Sequence, residues 1–172
     1  MKDWKKYLLS YIWGLLFVVQ VALVFVFSMT GKNRVESIAY IGIGIWWIAV
    51  ILAWLPIFIF KRRGNVPKGK SFVHTTALVD SGLYSIIRHP QYTSGLLFSF
   101  SLMLISQTWF ITGLSVVVMS LMYKDIILAD QHEIEKFGDA YRQYMKKVPR
   151  ANLLLGFIRM IKRKKGMRES KK

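Results

Sequence analysis

Two long stretches without a charged residue constrain this chain more than anything else in it. Leu8 to Met29 is interrupted only by Ser10, Gln20 and Ser28 as clearly polar groups; Ile38 to Phe60 carries Trp46, Trp47 and Trp54 but no charge. At about 1.5 Å per helical residue, each run crosses the roughly 30 Å hydrocarbon layer of a bilayer. A third uncharged region, Tyr92 to Tyr123, is too long for one span and reads as a hairpin turning at Ser106-Gln107-Thr108, its most polar triplet. The expectation is an all-α integral-membrane protein, one membrane domain over 1–172. Its four transmembrane helices fall at about 7–29, 37–60, 91–106 and 108–128, with a cytoplasmic C-terminal helical segment after them.

Charge sets the orientation. Lys and Arg number 25 against 9 Asp and Glu, a net charge of +16. A nucleic-acid binder spreads such charge over a polar surface, whereas here the cations lie between and after apolar blocks, so no nucleic-acid partner is expected. Lys2, Lys5 and Lys6 precede the first span, and Lys61, Arg62, Arg63, Lys68, Lys70 and Arg88 fill the second connection. A further set runs from Lys124 to Lys172, while the first connection holds only Lys32 and Arg34, opposed by Glu36. By the positive-inside bias both termini and the 61–91 connection are cytoplasmic, in the cell membrane of a prokaryote or the endoplasmic reticulum membrane of a eukaryote. The first apolar block is too long for a cleaved signal peptide and lacks a small-x-small site before Gly31. Gly64 to Gly69 reads as a turn-rich loop. With no Cys there is no thiolate nucleophile and no Cys-bound zinc, and no metal site is expected.

Polar chemistry then has two cytoplasmic places, about 72–92 and 124–150. The first contains Gly82-x-Tyr84, followed by Arg88-His89-Pro90-x-Tyr92 at the mouth of the third span. Pro90 suits the first turn of a helix, where its missing donor costs nothing. Arg88 can be read as snorkelling to headgroups, with His89 and Tyr92 in an interfacial belt. Alternatively, its planar fork with the directional bonds of His and Tyr suits a small zwitterionic ligand. In the second region Ile134, Phe137, Tyr141, Tyr144 and Val148 recur at helical spacing, a stripe facing a packed partner. Asp130 lies on that stripe and needs a cation or donor there; Glu135, Lys136 and Asp139 look outward, and Gly138-Asp139 marks a helix break. A plain amphipathic helix over the span ends, with Asp130 paired to a Lys or Arg, accounts for the same pattern.

Taken together, Gly82-x-Tyr84-x-x-x-Arg88-His89-Pro90-x-Tyr92, an apolar hairpin, Asp130, Phe137-Gly138-x-x-Tyr141-x-x-Tyr144 and Val148-Pro149-Arg150 resemble the isoprenylcysteine carboxyl methyltransferase family. Phospholipid N-methyltransferases share much of the pattern. The resemblance runs from Gly82 to Arg150 and implies a membrane methyltransferase using S-adenosyl-L-methionine, with a lipophilic substrate entering from the bilayer. A prenylcysteine-type carboxylate is the first acceptor to consider; a phosphatidylethanolamine amine or a small thiol are the others. By the same resemblance Tyr84, Arg88, His89 and Tyr92 hold the cofactor's amino-acid end and wall its pocket, Asp130 faces its amino group or ribose, and Tyr141, Tyr144 and Arg150 close over it. Arg88 and His89 are the candidate catalytic residues, Arg88 at the cofactor carboxylate and His89, or a Tyr, as a base for an acceptor that needs one. Three differences from the family stand out. Ala129 replaces the first of two adjacent acids, a contact Glu133 can supply; Ser94 stands where Gly is common; and only two spans precede the motif.

The tail puts Leu154, Phe157, Ile158 and Ile161 on one helical face with Arg159, Lys162, Arg163, Lys164 and Lys165 nearby, a composition for anionic lipid headgroups. Beyond Lys165 a frayed, solvated basic end explains it equally well. A reading from another class is a membrane scaffold or transporter subunit. A transport path wants ionisable groups at mid-bilayer depth, and the spans offer none before Lys124-Asp125.

Overall fold

The computed structural model describes residues 4–30, 34–64 and 76–169, and no strand occurs among them. Most of the expected loop at 64–69 and residues 72–75 of the motif region lie outside the described residues. Six helices follow one another: α1 (Trp4–Thr30), α2 (Glu36–Arg63), α3 (Pro90–Ser106), α4 (Trp109–Phe137), α5 (Asp139–Lys147) and α6 (Leu153–Glu169). Among the described residues three segments are long and apolar enough to cross a membrane: Tyr7–Val26 within α1, the whole of α2, and α4. Helix α3, with 17 residues, reaches only about 25 Å. The hairpin turn falls where the polar triplet predicts it, between Ser106 and Trp109. Helix α4 runs on past the expected end at 128, because nothing from Ala129 to Lys136 breaks a helix; it stops where Gly138 adopts a φ of 57°.

The described residues fall into two compact units. The first comprises Met1–Ile51 and Ser94–Leu128, and so contains α1, most of α3 and α4, and the first part of α2. Its outer surface is apolar, with Leu15, Phe25, Trp47 and Phe110 all exposed, as a lipid-facing bundle requires. Inside, Val24, Leu102 and Ile111 pack with Phe17, Leu23 and Ile105. A Cβ on Gly42 would come within 2.9 Å of Ile105 and 3.0 Å of the Ser101 carbonyl, so α2 lies close against α3 there. Polar groups inside this unit are paired. Gln20, fully buried, donates to the Ser99 carbonyl (3.1 Å) and Ser115 Oγ (2.8 Å) and accepts from Ser99 Oγ (2.9 Å). It thereby joins α1, α3 and α4. Asp125 on α4 accepts from Ser10 Oγ at 2.6 Å and Trp13 Nε1 at 2.8 Å on α1.

The second unit comprises Leu52–Thr93 and Ala129–Lys172. It contains the end of α2, a 3₁₀ turn at Gly82–Ser85, the first turn of α3, the end of α4, and α5 and α6. The helical stripe is its core: Tyr141, Tyr144 and Val148 are buried, with Ile134, Phe137, Leu78 and Met145 against them. Helix α6 starts at Asn152, whose Oδ1 accepts from the Leu155 amide at 2.9 Å, a normal N-terminal cap. Gly156 presses on the chain at Ile86 so closely that a Cβ there would fall 2.0 Å from the Ile86 carbonyl oxygen. Backbone cannot yield as a flexible side chain can. Gly156→Ala is therefore expected to lift α6 from this seat at a cost of about 1–3 kcal/mol. Faster tryptic cleavage within the Lys162–Lys165 run and a lower unfolding temperature would report it; unchanged digestion would show that the seat tolerates a methyl group.

Candidate functional site

Two stretches some sixty residues apart are zipped together by their backbones in the second unit. The Arg88 amide donates to the Pro149 carbonyl (3.1 Å) and the His89 amide to the Arg150 carbonyl (3.2 Å). Pro149 has no donor to spend, but its carbonyl is free for this pairing. Pro90 then starts α3, and Thr93 returns both its amide and its hydroxyl to the His89 carbonyl, each at 2.9 Å. Arg88 and His89 are in this way fixed at a helix start by backbone contacts on both sides.

Their side chains converge on Asp130, itself almost fully buried. Arg88 Nη2 (2.9 Å) and Arg150 Nε (2.7 Å) donate to its Oδ2; His89 Nε2 and the Tyr141 hydroxyl each lie 2.7 Å from Oδ1. A carboxylate offers about four acceptor sites, and here four donors address them. Arg88 and Arg150 balance a buried charge that would otherwise be very costly. Because the carboxylate can only accept, the His89 proton sits on Nε2, and Nδ1 is the other ring nitrogen.

The rest of the Arg88 guanidinium is partly committed. Nη1 donates to the carbonyls of Met145 (3.0 Å) and Val148 (2.8 Å), tying down the end of α5. Nε–H, also buried, meets no acceptor among the described residues. An unspent donor on a buried guanidinium is costly, and it fits an anionic oxygen supplied from outside the chain.

Tyr92 stands edge-on to His89 with ring centroids 5.9 Å apart. The Tyr144 hydroxyl donates to the Tyr84 carbonyl (2.6 Å), and the Tyr84 ring lies against Phe60 at 4.9 Å. Glu133, one turn beyond Asp130 on α4, is half-buried, and no hydrogen bond or ion pair engages it among the described residues. Its charge is felt at the Tyr84 and Tyr141 phenols, so it borders the same cluster. The expected residues are thus all in this unit: Arg88, His89, Asp130, Tyr141 and Arg150 in one network, Tyr84 and Tyr144 joined beside it, Tyr92 on His89, and Glu133 at the edge. The Met145 and Val148 carbonyls and Ser85, whose carbonyl accepts from Arg163 Nη2, were not expected, since backbone acceptors leave no mark on side-chain identity.

Burial pushes the phenols of Tyr84, Tyr141 and Tyr144 well above the usual tyrosine range; Asp130 adds to this at Tyr141, and at Tyr144 burial outweighs the opposing effect of Arg88. A pKa raised in the folded state favours the neutral form, so the stability from these phenols is complete below the unfolded value of about 10 and falls as pH rises above it. In an alkaline titration of the eight tyrosines, these three are expected to give phenolate absorbance only as the fold is lost. Their ionisation while helicity is intact would contradict the packing.

Comparison with known proteins points one way. A family model described as phospholipid methyltransferase matches residues 38–140. A protein-S-isoprenylcysteine O-methyltransferase from Schizosaccharomyces pombe is 31% identical over 98 residues, covering 52% of this chain and 42% of that protein. The chain therefore spans less than half the length of that relative. No solved structure matches.

Proposed function

This chain belongs to the phospholipid methyltransferase family, and from that premise we propose that it is a multi-pass membrane enzyme. In this reading it transfers a methyl group from S-adenosyl-L-methionine to a lipophilic acceptor drawn from the bilayer. Its four spans are α1 to α4, both termini are cytoplasmic, and the second unit holds the cofactor. The observation that carries the reading is the buried Nε–H of Arg88, which meets no acceptor among the described residues.

The amino-acid end of the cofactor is a zwitterion, and the residues present suit both of its charges. Arg88 meets the carboxylate through Nε–H, and Glu133, which no described residue hydrogen-bonds or pairs with, meets the ammonium. Tyr84, Tyr92, Tyr141 and Tyr144 wall the space. Asp130, with all its acceptor sites taken, acts here by orienting Arg88, His89, Tyr141 and Arg150. Bound S-adenosylmethionine supplies an electrophilic methyl on a sulfonium, and the protein's share is alignment and exclusion of water.

A prenylcysteine-type carboxylate is the acceptor this reading favours, because an ionised carboxylate needs no base. A phosphatidylethanolamine amine is favoured by one separate observation, the orientation of His89. With Nε2 held on Asp130, Nδ1 is the ring nitrogen left to take a proton from an ammonium acceptor. The two diverge in pH dependence: methylation of an amine rises with pH until the amine is neutral, whereas that of a carboxylate stays level across neutral pH.

Calorimetry with S-adenosylhomocysteine on the purified, folded protein tests the enzyme reading. Binding is expected, and Glu133→Gln should weaken it about tenfold, the loss of one charge-assisted contact of about 1.5 kcal/mol. Absence of binding to folded wild-type protein would favour a scaffold or transporter subunit. Unchanged affinity in the Gln variant would remove Glu133 from the site.

A further inference from the structure

Helix α6 has two faces of opposite character. Leu153, Gly156, Met160 and Arg163 form one stripe at helical spacing, and they are the buried or half-buried residues described between Leu153 and Gly166. This stripe is seated on the second unit. Gly156 lies against Ile86, and Arg163 donates to the carbonyls of Ser85 and Lys147. On the opposite side Leu154, Phe157, Ile158 and Ile161 are 79%, 52%, 51% and 49% exposed. At 3.6 residues per turn, Lys162 and Lys164 border this apolar face on its two sides and Lys165 follows it at the C-terminal end; all three are exposed.

No carboxylate occurs between Leu153 and Arg168. A face of four large apolar side chains flanked by lysines calls for an occupant both apolar and anionic, and a bilayer surface carrying anionic lipid has that layering. A second copy of this chain, with its net charge of +16, brings the wrong sign. We propose that α6 lies in an anionic bilayer surface, with Leu154, Phe157, Ile158 and Ile161 among the acyl chains and Lys162, Lys164 and Lys165 at the headgroups. Its other stripe clasps the chain at Ser85 and Ile86, just before Arg88. Lipid occupancy of α6 therefore steadies the stretch that carries Tyr84 and Arg88. The lipid seat stands independently of the methyl-transfer reading.

The chain has no cysteine, so a spin label at Phe157→Cys or Arg159→Cys is unique in it. In phosphatidylcholine vesicles containing phosphatidylglycerol, the label at 157 is expected to be open to oxygen and shielded from a nickel chelate, and the label at 159 the reverse. The contrast should weaken without phosphatidylglycerol, in high salt, or in the Lys162→Glu/Lys164→Glu/Lys165→Glu variant. Amide exchange at Ile86–Arg88 is expected to slow severalfold on adding phosphatidylglycerol, and Arg163→Ala should remove that effect. Equal nickel accessibility at 157 with and without phosphatidylglycerol would overturn the proposal, as would spin-spin broadening between copies, which would make the face an oligomer contact. Exchange indifferent to lipid would overturn the clasp.

Discussion

Asp130→Asn is expected to leave the second unit without a stable core and to eliminate S-adenosylhomocysteine binding. The substitution keeps the volume but removes the charge that faces two guanidinium groups, and its amide nitrogen turns donors toward donors. Breaking a buried ion pair from one side costs about 3–5 kcal/mol. Two cations share this carboxylate, so the upper part of that range is appropriate. The measurement is thermal unfolding in detergent, followed by helicity and by ligand-induced shift. A variant that unfolds with the wild type and binds equally well would show that the four donors have other acceptors.

Arg88→Lys is expected to separate the two tasks of the guanidinium. An ammonium is a compact point charge and cannot span the Met145 and Val148 carbonyls and the Asp130 carboxylate at once. With Nε removed, the donor that meets no acceptor among the described residues disappears as well. The retained charge still faces Asp130, so the loss of stability should be about 1–3 kcal/mol, smaller than for Asp130→Asn. Ligand affinity should fall at least about a hundredfold, the equivalent of roughly 3 kcal/mol. Calorimetry at a temperature where the variant remains folded checks both parts. Wild-type affinity in the Lys variant would take the Arg88 side chain out of ligand binding. Arg88→Ala is the poorer experiment: it strands two buried carbonyls and one carboxylate, so lost binding and lost folding would coincide.

Much of this architecture is legible in the sequence because bilayers impose length and charge rules on single segments. The helix start at Pro90, the turn after Ser106 and the break at Gly138 all follow from local chemistry. The stripe from Ile134 to Val148 likewise reveals a buried face, since burial repeats with the helical period. The spacing of Arg88, Asp130 and Arg150 offers no hint that they meet; Arg88 and Asp130 stand out by their local settings, and Arg150 only by a resemblance. Other contacts have no linear signature. The clamp of Arg88 on two carbonyls, the Arg163 bond to Ser85 and the Gly156 approach to Ile86 use backbone atoms every residue possesses. The extent of α4 was also hidden, because a polar stretch after an apolar one looks like a boundary although the helix continues through it.

The pairing of Gln20 has a consequence for how the protein is made. Its partners Ser99 and Ser115 lie 79 and 95 residues further along the chain. At about 5–20 residues per second of synthesis, α1 exists for several seconds before either partner has been translated. Throughout that interval its side-chain amide lacks the groups that satisfy it in the finished bundle. Until the α3–α4 hairpin arrives, α1 therefore holds an amide that lipid tails cannot satisfy.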